Sequence, residues 1–531
     1  MSSQATKLLG QFYTPQDVAR FLVRCVVRSS TDRLLDPACG DGQFLRLHRN
    51  IVGVDVSGSS CAAARASAPW AAVHEGDFFA WAEQARERFD AVVGNPPFIR
   101  YQLFSGAARE RALRLARRAG ARLSALASSW APFVAASATL LKPGGRMGFV
   151  VPAELGHAPY AVPLLEALCE AFERVHVIAL REKIFPELAE DAWLLLACGK
   201  GGRTTRIEFT PCESFAPFAA PPPGKEVSLA RWRAHGSRLR RFLCPEAVLD
   251  YYASLAAQDG CVRLSELATV GIGYVSGAND FFHLRPSQAR LFGIPDEFLR
   301  PSVRKGDQLP EGPVTPAVVR RWLAQDLPVL LLDLSRCREL PDSVKRYLDT
   351  SAGAAARATY KCRNRVPWYV VPDVVVPDAF VSYMCGDRPR LARNLAGCVC
   401  SNSVHAVRFC NGAPPRHIQT AWNHPICDLS KELEGHPLGG GMLKLEPREA
   451  ARVLIPLSLK LRNEADLDLL YVGINTARAW RHYGNVSARV PATHPAASGV
   501  QRGHLDSRPG PHPAHACSCG DAAGDRGRFP P

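Results

Sequence analysis

The stretch RLLDPACGDGQFL, residues 33–45, decides the fold. Its first four residues read as a short apolar strand, Gly40 and Gly42 supply backbone freedom, and the residues after them read as the start of a helix. A strand passing through a glycine turn into a helix opens a doubly wound α/β sheet, in which ligands bind at the carboxyl ends of the strands. Working outward, six more β-rich runs alternate with helical stretches as far as residue 200: IVGVDV, WAAVHEG, FDAVVGN, RMGFVVP, RVHVIAL and AWLLLACG. The expected fold is α/β, a doubly wound, mostly parallel, seven-stranded sheet. Residues 107–141 read as helical up to the turn KPGG. The prolines of APFAAPPPGK, Ala216 to Lys225, break the alternation and mark a domain boundary, giving expected units 1–222 and 223–487. Residues 488–531 are rich in Pro, Gly, His and Arg without periodicity and are expected to form a tail with no packed core.

The length of 531 residues fits about two to four domains. With 47% hydrophobic and 22% charged residues, a fully disordered chain is excluded. Sixty-five Lys and Arg against 50 Asp and Glu give a net charge of +15, which favours polyanionic partners, nucleic acid first. Three basic runs carry much of that charge: RWRAHGSRLRRF (231–242), YKCRNRVPWYVV (360–371) and CGDRPRLARN (385–394). The first two interleave aromatics, which suits phosphate neutralisation and base stacking, although each run alone is also what a solvated face looks like. The start lacks an apolar stretch of signal-peptide length and no window is apolar enough to cross a membrane, so a cytoplasmic protein without membrane partners is expected. The 17 cysteines sit mainly inside apolar segments, as reduced thiols do. The one dense group, PHPAHACSC, lacks paired CxxC spacing, and no metal site is expected.

The chemistry concentrates at strand ends. Gly40 and Gly42 would let the backbone approach a bound cofactor. Asp55, ending the second strand, can accept hydrogen bonds from two ribose hydroxyls, although a strand-terminal Asp is also a common turn residue. In EGDFF, Asp77 can meet an exocyclic adenine amine and Phe78 the ring face. The fourth strand ends in FDAVVGNPPFIRY, residues 89–101, where Pro96 and Pro97 lock two consecutive φ angles. The Asn95 side-chain oxygen and the Pro96 carbonyl can then converge on a planar NH2 group, with Phe98 against the ring that carries it.

These motifs resemble those of the N6-adenine DNA methyltransferases of restriction-modification systems. The order is the gamma type, with cofactor motifs first and the target-recognition domain last. The likeness runs from about Gly10 to about Pro456 and is most specific in the first 200 residues. It implies a class I S-adenosylmethionine-dependent catalytic domain over 1–222 and a mixed α+β target-recognition domain over 223–487. It also implies S-adenosyl-L-methionine as cofactor, double-stranded DNA as partner with the target base flipped, and a cognate restriction endonuclease. By the resemblance, Asn95, Pro96, Pro97 and Phe98 are the catalytic tetrad. FYTP, with Tyr13 and Thr14, closes over the methionine part of the cofactor; Asp36, Ala38 and Gly40 form the cofactor loop, Asp55 binds ribose, and Asp77 with Phe78 contact adenine. Phe185 in REKIFPELAEDAWLLL matches a second aromatic that stacks on the flipped adenine, or else packs in the core. VGIGYVSGANDFF, PSVRKGD, RVPWYVVP and NSVHAVRF resemble target-recognition segments.

The rival reading is a methyltransferase acting on a protein glutamine or an RNA guanine amino group, which an NPP loop also grips. A basic second half of this length argues for DNA. A fused nuclease is not expected, because the cofactor motif begins near Gly10 and no PD(D/E)xK constellation comes after it. An intact NPPF box argues against a non-catalytic subunit.

Overall fold

The computed structural model describes residues 14–186, 190–410, 415–458 and 463–483. The PHPAHACSC group and the expected tail lie outside them, as does Tyr13. The first helix, α1 (Gln16–Val26), buries Val18, Phe21, Leu22 and Val26 on one face. The first sheet comes next: β1 (Leu34–Asp36), β2 (Ile51–Asp55), β3 (Ala72–Glu75), β4 (Phe89–Gly94), β5 (Leu141–Pro152), β6 (Phe172–Leu180), β7 (Ala192–Lys200), β8 (Arg206–Cys212) and β9 (Lys225–Ser228). Their order is β3-β2-β1-β4-β5-β7-β6-β8-β9, with β7 antiparallel between β5 and β6. The expected seven-stranded sheet is therefore present, and two strands extend it.

That extension moves the expected boundary. β9 pairs antiparallel with β8, so the proline-rich segment ending at Pro223 is a connection within one sheet rather than a linker after it. The Thr210 hydroxyl donates to Pro222 O across that connection. The core is continuous too: Val227, Trp232, Phe242 and Leu249 join the same apolar cluster as Phe149 and Trp193 of the sheet.

Two helical expectations also change. After the glycine turn there is only a single 3-10 turn, Leu45–Leu47, because residues 43–50 must return to β2 within a short span. His48 Nε2 pairs with Asp32 O at 2.7 Å and fixes that return. The stretch 107–141 is two helices, α4 (Gly106–Arg118) and α5 (Trp130–Thr139). Between them Gly120 takes a left-handed φ of 87°, a conformation that ends a helix. Three other helices flank the sheet: α2 (Gly58–Ser67), α3 (Phe78–Gln84) and α6 (Ala161–Ala171).

Beyond β9 the chain is mixed α+β. A four-stranded sheet orders Ala268–Ile272, Val404–Phe409, Ala379–Ser382 and Leu391–Arg393. A second joins His283–Leu284, Leu330–Leu332, Leu299–Val303 and Val399–Cys400.

The basic run 231–242 is a junction between these halves and not an open face. Arg238 pairs with Glu449 at 2.7 Å and Arg241 with Glu434 at 2.6 Å, both buried, while Trp232 is fully buried. Arg233 pairs with Glu166 at 2.8 Å and Arg231 with Asp250 at 3.2 Å. Carboxylates on neighbouring elements have already neutralised most of this run. The run 360–371 differs: Tyr360 is largely exposed with the Arg363 guanidinium over its ring, and Val366 is fully exposed. Among the described residues no helix is long and apolar enough to cross a membrane.

Breaking a buried ion pair leaves an uncompensated charge, at about 3–5 kcal/mol. Arg238→Ala should therefore lower unfolding stability by about that amount, measured by urea denaturation, whereas Arg233→Ala at the exposed pair should change it by less than about 1 kcal/mol.

Candidate active site

The sheet order reverses between β1 and β4, which places the carboxyl ends of two adjacent strands around one crevice. A cavity of about 240 Å³ opens there. Its walls include Ala38 and Gly40 from the glycine turn, Asp55 and Val56 after β2, Asp77 and Phe78 after β3, and Asn95 and Pro97 after β4. Residues singled out at four separate strand ends thus meet in one place.

Local hydrogen bonds explain how they are held. Asp55 is buried and accepts the Gly40 N–H at 2.9 Å on Oδ2 and the Ser57 N–H at 2.9 Å on Oδ1. Each carboxylate oxygen has a second lone pair, so both remain able to accept a hydroxyl. Gly76 N–H donates to Asp55 O at 2.8 Å and ties the end of β3 to the end of β2. The turn itself needs glycine at position 42: φ is 91°, and a Cβ would lie 2.8 Å from Ser67 Oγ.

Asp36 is wholly buried. Its Oδ1 accepts the Ala38 N–H at 3.2 Å, while Oδ2 has no hydrogen-bond partner among the described residues. Burial pushes the carboxyl well above the usual carboxylate range, and the nearby Asp55 and Asp41 add to the shift. An orphaned acidic oxygen beside the cavity fits a ligand that brings a cationic or donor group to it.

At the third strand end, Asp77 caps α3 by accepting the Phe79 N–H at 3.2 Å. Arg111 of α4 pairs with its other oxygen at 3.0 Å. The Phe78 ring is mostly covered: it stacks on Phe133 of α5, with centroids 5.1 Å apart and planes at 15°. Both residues of the stacked pair line the cavity.

After β4, Pro96 is buried and Phe98 half-buried, packed against both apolar clusters of the sheet. The loop is tied from outside. Ser129, at the start of α5, accepts the Ile99 N–H at 2.9 Å and donates its hydroxyl to Pro97 O. Its own N–H donates to Ile99 O at 3.0 Å.

Five expected residues do not line the cavity: Asp36 and Pro96 are buried beside it, Phe98 is half-buried against the two apolar clusters, and Thr14 and Phe185 lie elsewhere. Thr14 is buried at the foot of α1 and is not among the residues lining the cavity. Phe185 is 2% exposed and packs with Ile178, Leu180, Ile184 and Leu194. A ring covered by that much apolar surface has no free face for a base, so Phe185 stands as a packing residue in this conformation. In the other direction, Ser129, Arg111, Phe133 and the exposed Val56 belong to the site and were not singled out from sequence. Val56 was visible as the apolar residue after Asp55 in GVDV; the others come from helices distant in sequence.

Three family models match the chain: N-6 DNA Methylase over residues 1–58, Eco57I restriction-modification methylase over 50–185, and the C-terminal domain of Type II methyltransferase M.Eco57I over 238–482. The chain thus carries N-6 DNA methylase and Eco57I restriction-modification methylase domains, and the three matches together span most of its length. These domains and the relatives below make it a DNA methyltransferase of the restriction-modification kind, against a protein glutamine or RNA guanine as substrate class. The methyltransferase is similar to Type II methyltransferase M.XamI of Xanthomonas campestris pv. amaranthicola, 24% identical over 84% of this chain and 85% of the relative. It is also similar to Type II methyltransferase M.TthHB8I of Thermus thermophilus, 32% identical over 27% of this chain and 35% of the relative. Among solved structures, the type IIG restriction endonuclease BpuSI aligns over 89% of this chain and 65% of that one, at 14% identity and a TM-score of 0.40.

The raised Asp36 carboxyl has a signed consequence. The folded methyltransferase holds this proton to higher pH than the unfolded chain does, so its burial is neutral below about pH 4 and increasingly destabilising above it. Asp36→Asn should therefore raise stability at pH 7 by about 1–3 kcal/mol, with the gain shrinking toward zero near about pH 3.5–4. Denaturation curves collected across that range check the sign.

Proposed function

We propose that the methyltransferase transfers a methyl group from S-adenosyl-L-methionine to N6 of an adenine flipped out of double-stranded DNA, at Asn95, Pro96, Pro97 and Phe98. The observation that carries the reading is that one cavity is lined by Asp55 and Asp77, acidic strand ends suited to a nucleoside donor, and by Asn95 and Pro97 of the loop suited to an amino group. Asp36 would take the donor's ammonium group, Asp55 its ribose hydroxyls and Asp77 its adenine amine, with Val56 and the Phe78–Phe133 pair supplying apolar contact. Tyr13 and Thr14 would close over the methionine end. The donor supplies an electrophilic methyl group on a sulfonium centre.

Adenine N6 is a weak nucleophile because its lone pair is delocalised into the ring. The Asn95 side-chain oxygen and Pro96 O, both acceptors, favour a tetrahedral nitrogen whose lone pair is localised and aimed in line. No strong base is required, since the proton leaves after transfer. Flipping the base costs a few kcal/mol, and stacking on Phe98, at about 1–3 kcal/mol, offsets much of that cost.

The region beyond β9 would recognise the target sequence. The exposed Tyr360, Arg363 and Val366 segment supports this, because it offers a stacking face and a cation that no carboxylate has neutralised among the contacts of that run. A cognate restriction endonuclease that cuts the same sequence is the expected functional partner.

The test is to treat unmethylated genomic DNA with the purified protein and S-adenosylmethionine and to sequence it for modified bases. Methyl groups on adenines within one short motif are expected; methylation of cytosine, or of no base, would refute the proposal. Asn95→Ala should lower turnover at least about 100-fold while leaving duplex binding nearly unchanged, as read by methyl transfer and by fluorescence anisotropy.

A further inference from the structure

We infer that Ser129 is a positioning residue for the catalytic loop, acting through the backbone on either side of Phe98. The inference rests on the proposed role of Asn95 and Pro96 in holding the adenine amino group.

The two prolines create the need. β4 ends at Gly94, so the loop has left the sheet ladder, and Pro96 and Pro97 have no N–H to tie it to anything. After Asn95 the next backbone donors are Phe98 and Ile99. Where prolines remove two successive donors, bonds from another element add to the locked φ angles and the Phe98 packing in setting the loop's orientation.

Ser129 is the anchor that supplies these bonds. Its hydroxyl accepts the Ile99 N–H at 2.9 Å and donates to Pro97 O, while its N–H donates to Ile99 O at 3.0 Å. Three bonds to residues 97 and 99 fix the peptide planes flanking Phe98. Because both proline φ angles are locked, fixing Pro97 O also restricts where Pro96 O can point. Ser129 occupies the N-cap position of α5 yet makes no capping bond, so its hydroxyl is committed to the loop.

The anchor is itself held. Ser129 is 1% exposed, and its neighbour Trp130 is wholly buried. Trp130 Nε1 donates to Glu154 at 2.8 Å, and Tyr160 OH donates to the same carboxylate oxygen. Glu154 comes directly after β5, so this cluster ties the start of α5 to the carboxyl edge of the sheet.

A hydroxyl is needed because a single group must both accept and donate. Threonine keeps that ability, and valine has nearly the same shape without it. The test uses the full-length chain and a duplex bearing its recognised site. Ser129→Val should lower the single-turnover methyl-transfer rate about 10- to 100-fold, with unchanged dissociation constants for S-adenosylmethionine and duplex. Ser129→Thr should restore most of the rate. With 2-aminopurine at the target position, Ser129→Val should change the emission of the flipped base relative to Ser129→Thr, as Phe98 loses its fixed orientation. Thermal melts of the two variants control for folding. Equal rates for Ser129→Val and Ser129→Thr would overturn the inference, as would losses in both that simply track the fraction of folded protein. A parent enzyme that methylates no adenine would instead overturn the reading of Asn95 and Pro96 on which it rests.

Discussion

The parallel pairing of β1 with β4 is the constraint on which the site depends. Leu34 lies against Ala91 and Leu35 against Val92, so both strands stop at the same edge. The approach there is close: a side chain on Gly94 would begin 3.3 Å from Asp36 Oδ1 and 3.2 Å from the Phe149 ring. Any larger residue at the end of β4 would press on the buried carboxyl and the Phe149 ring. From that edge the two chains diverge, one into the glycine turn and the other into the Asn-Pro-Pro bend, and the crevice between them is the cavity. Acidic oxygens line the first chain and backbone and amide acceptors the second, which separates a place for a cationic donor from a place for an amino group.

This arrangement concentrates unfavourable electrostatics at the crevice. Asp36 is buried close to Asp55, and one of its oxygens has no partner among the described residues. The surrounding fold tolerates the arrangement because the strands beneath are packed on both faces: Val52, Val54, Val92 and Val93 are all wholly or almost wholly buried. The sheet core also continues through Trp232 and Phe242 into the second half, where Arg238–Glu449 and Arg241–Glu434 join the two. Stability therefore comes from packing and buried pairs away from the crevice, and the crevice keeps groups whose needs a ligand can satisfy.

Much of this was legible in the sequence because strand ends in a doubly wound sheet announce themselves. Apolar runs ending at Asp36, Asp55, Asp77 and Asn95 mark the edge, and the topology brings them together. What was not legible came from residues whose roles depend on distant packing. Gly120 breaks the expected long helix, and that break is what delivers Ser129 to the loop, yet a single glycine in an alanine- and arginine-rich stretch gives little warning. Arg111 looks like any exposed helix arginine until α4 brings it to Asp77. The run 231–242 read as a basic face because its acidic partners, Glu166, Glu434 and Glu449, lie far off in sequence. Phe185 matched a motif position, but it sits in an apolar cluster with Phe21 and Leu22 of α1 and Ile178 of β6, elements the motif does not describe.

The central claim is that the diproline bend presents two acceptors to an extruded adenine beside the donor cleft. A crystal structure of the methyltransferase with its recognised duplex and a non-reactive S-adenosylmethionine analogue tests this most directly. The account predicts adenine N6 at hydrogen-bond distance, about 2.7–3.2 Å, from both the Asn95 side-chain oxygen and Pro96 O, with the Phe98 ring against the base. An adenine whose amino group contacts other residues, or a bend turned away from the cavity that holds Asp55 and Asp77, would contradict it.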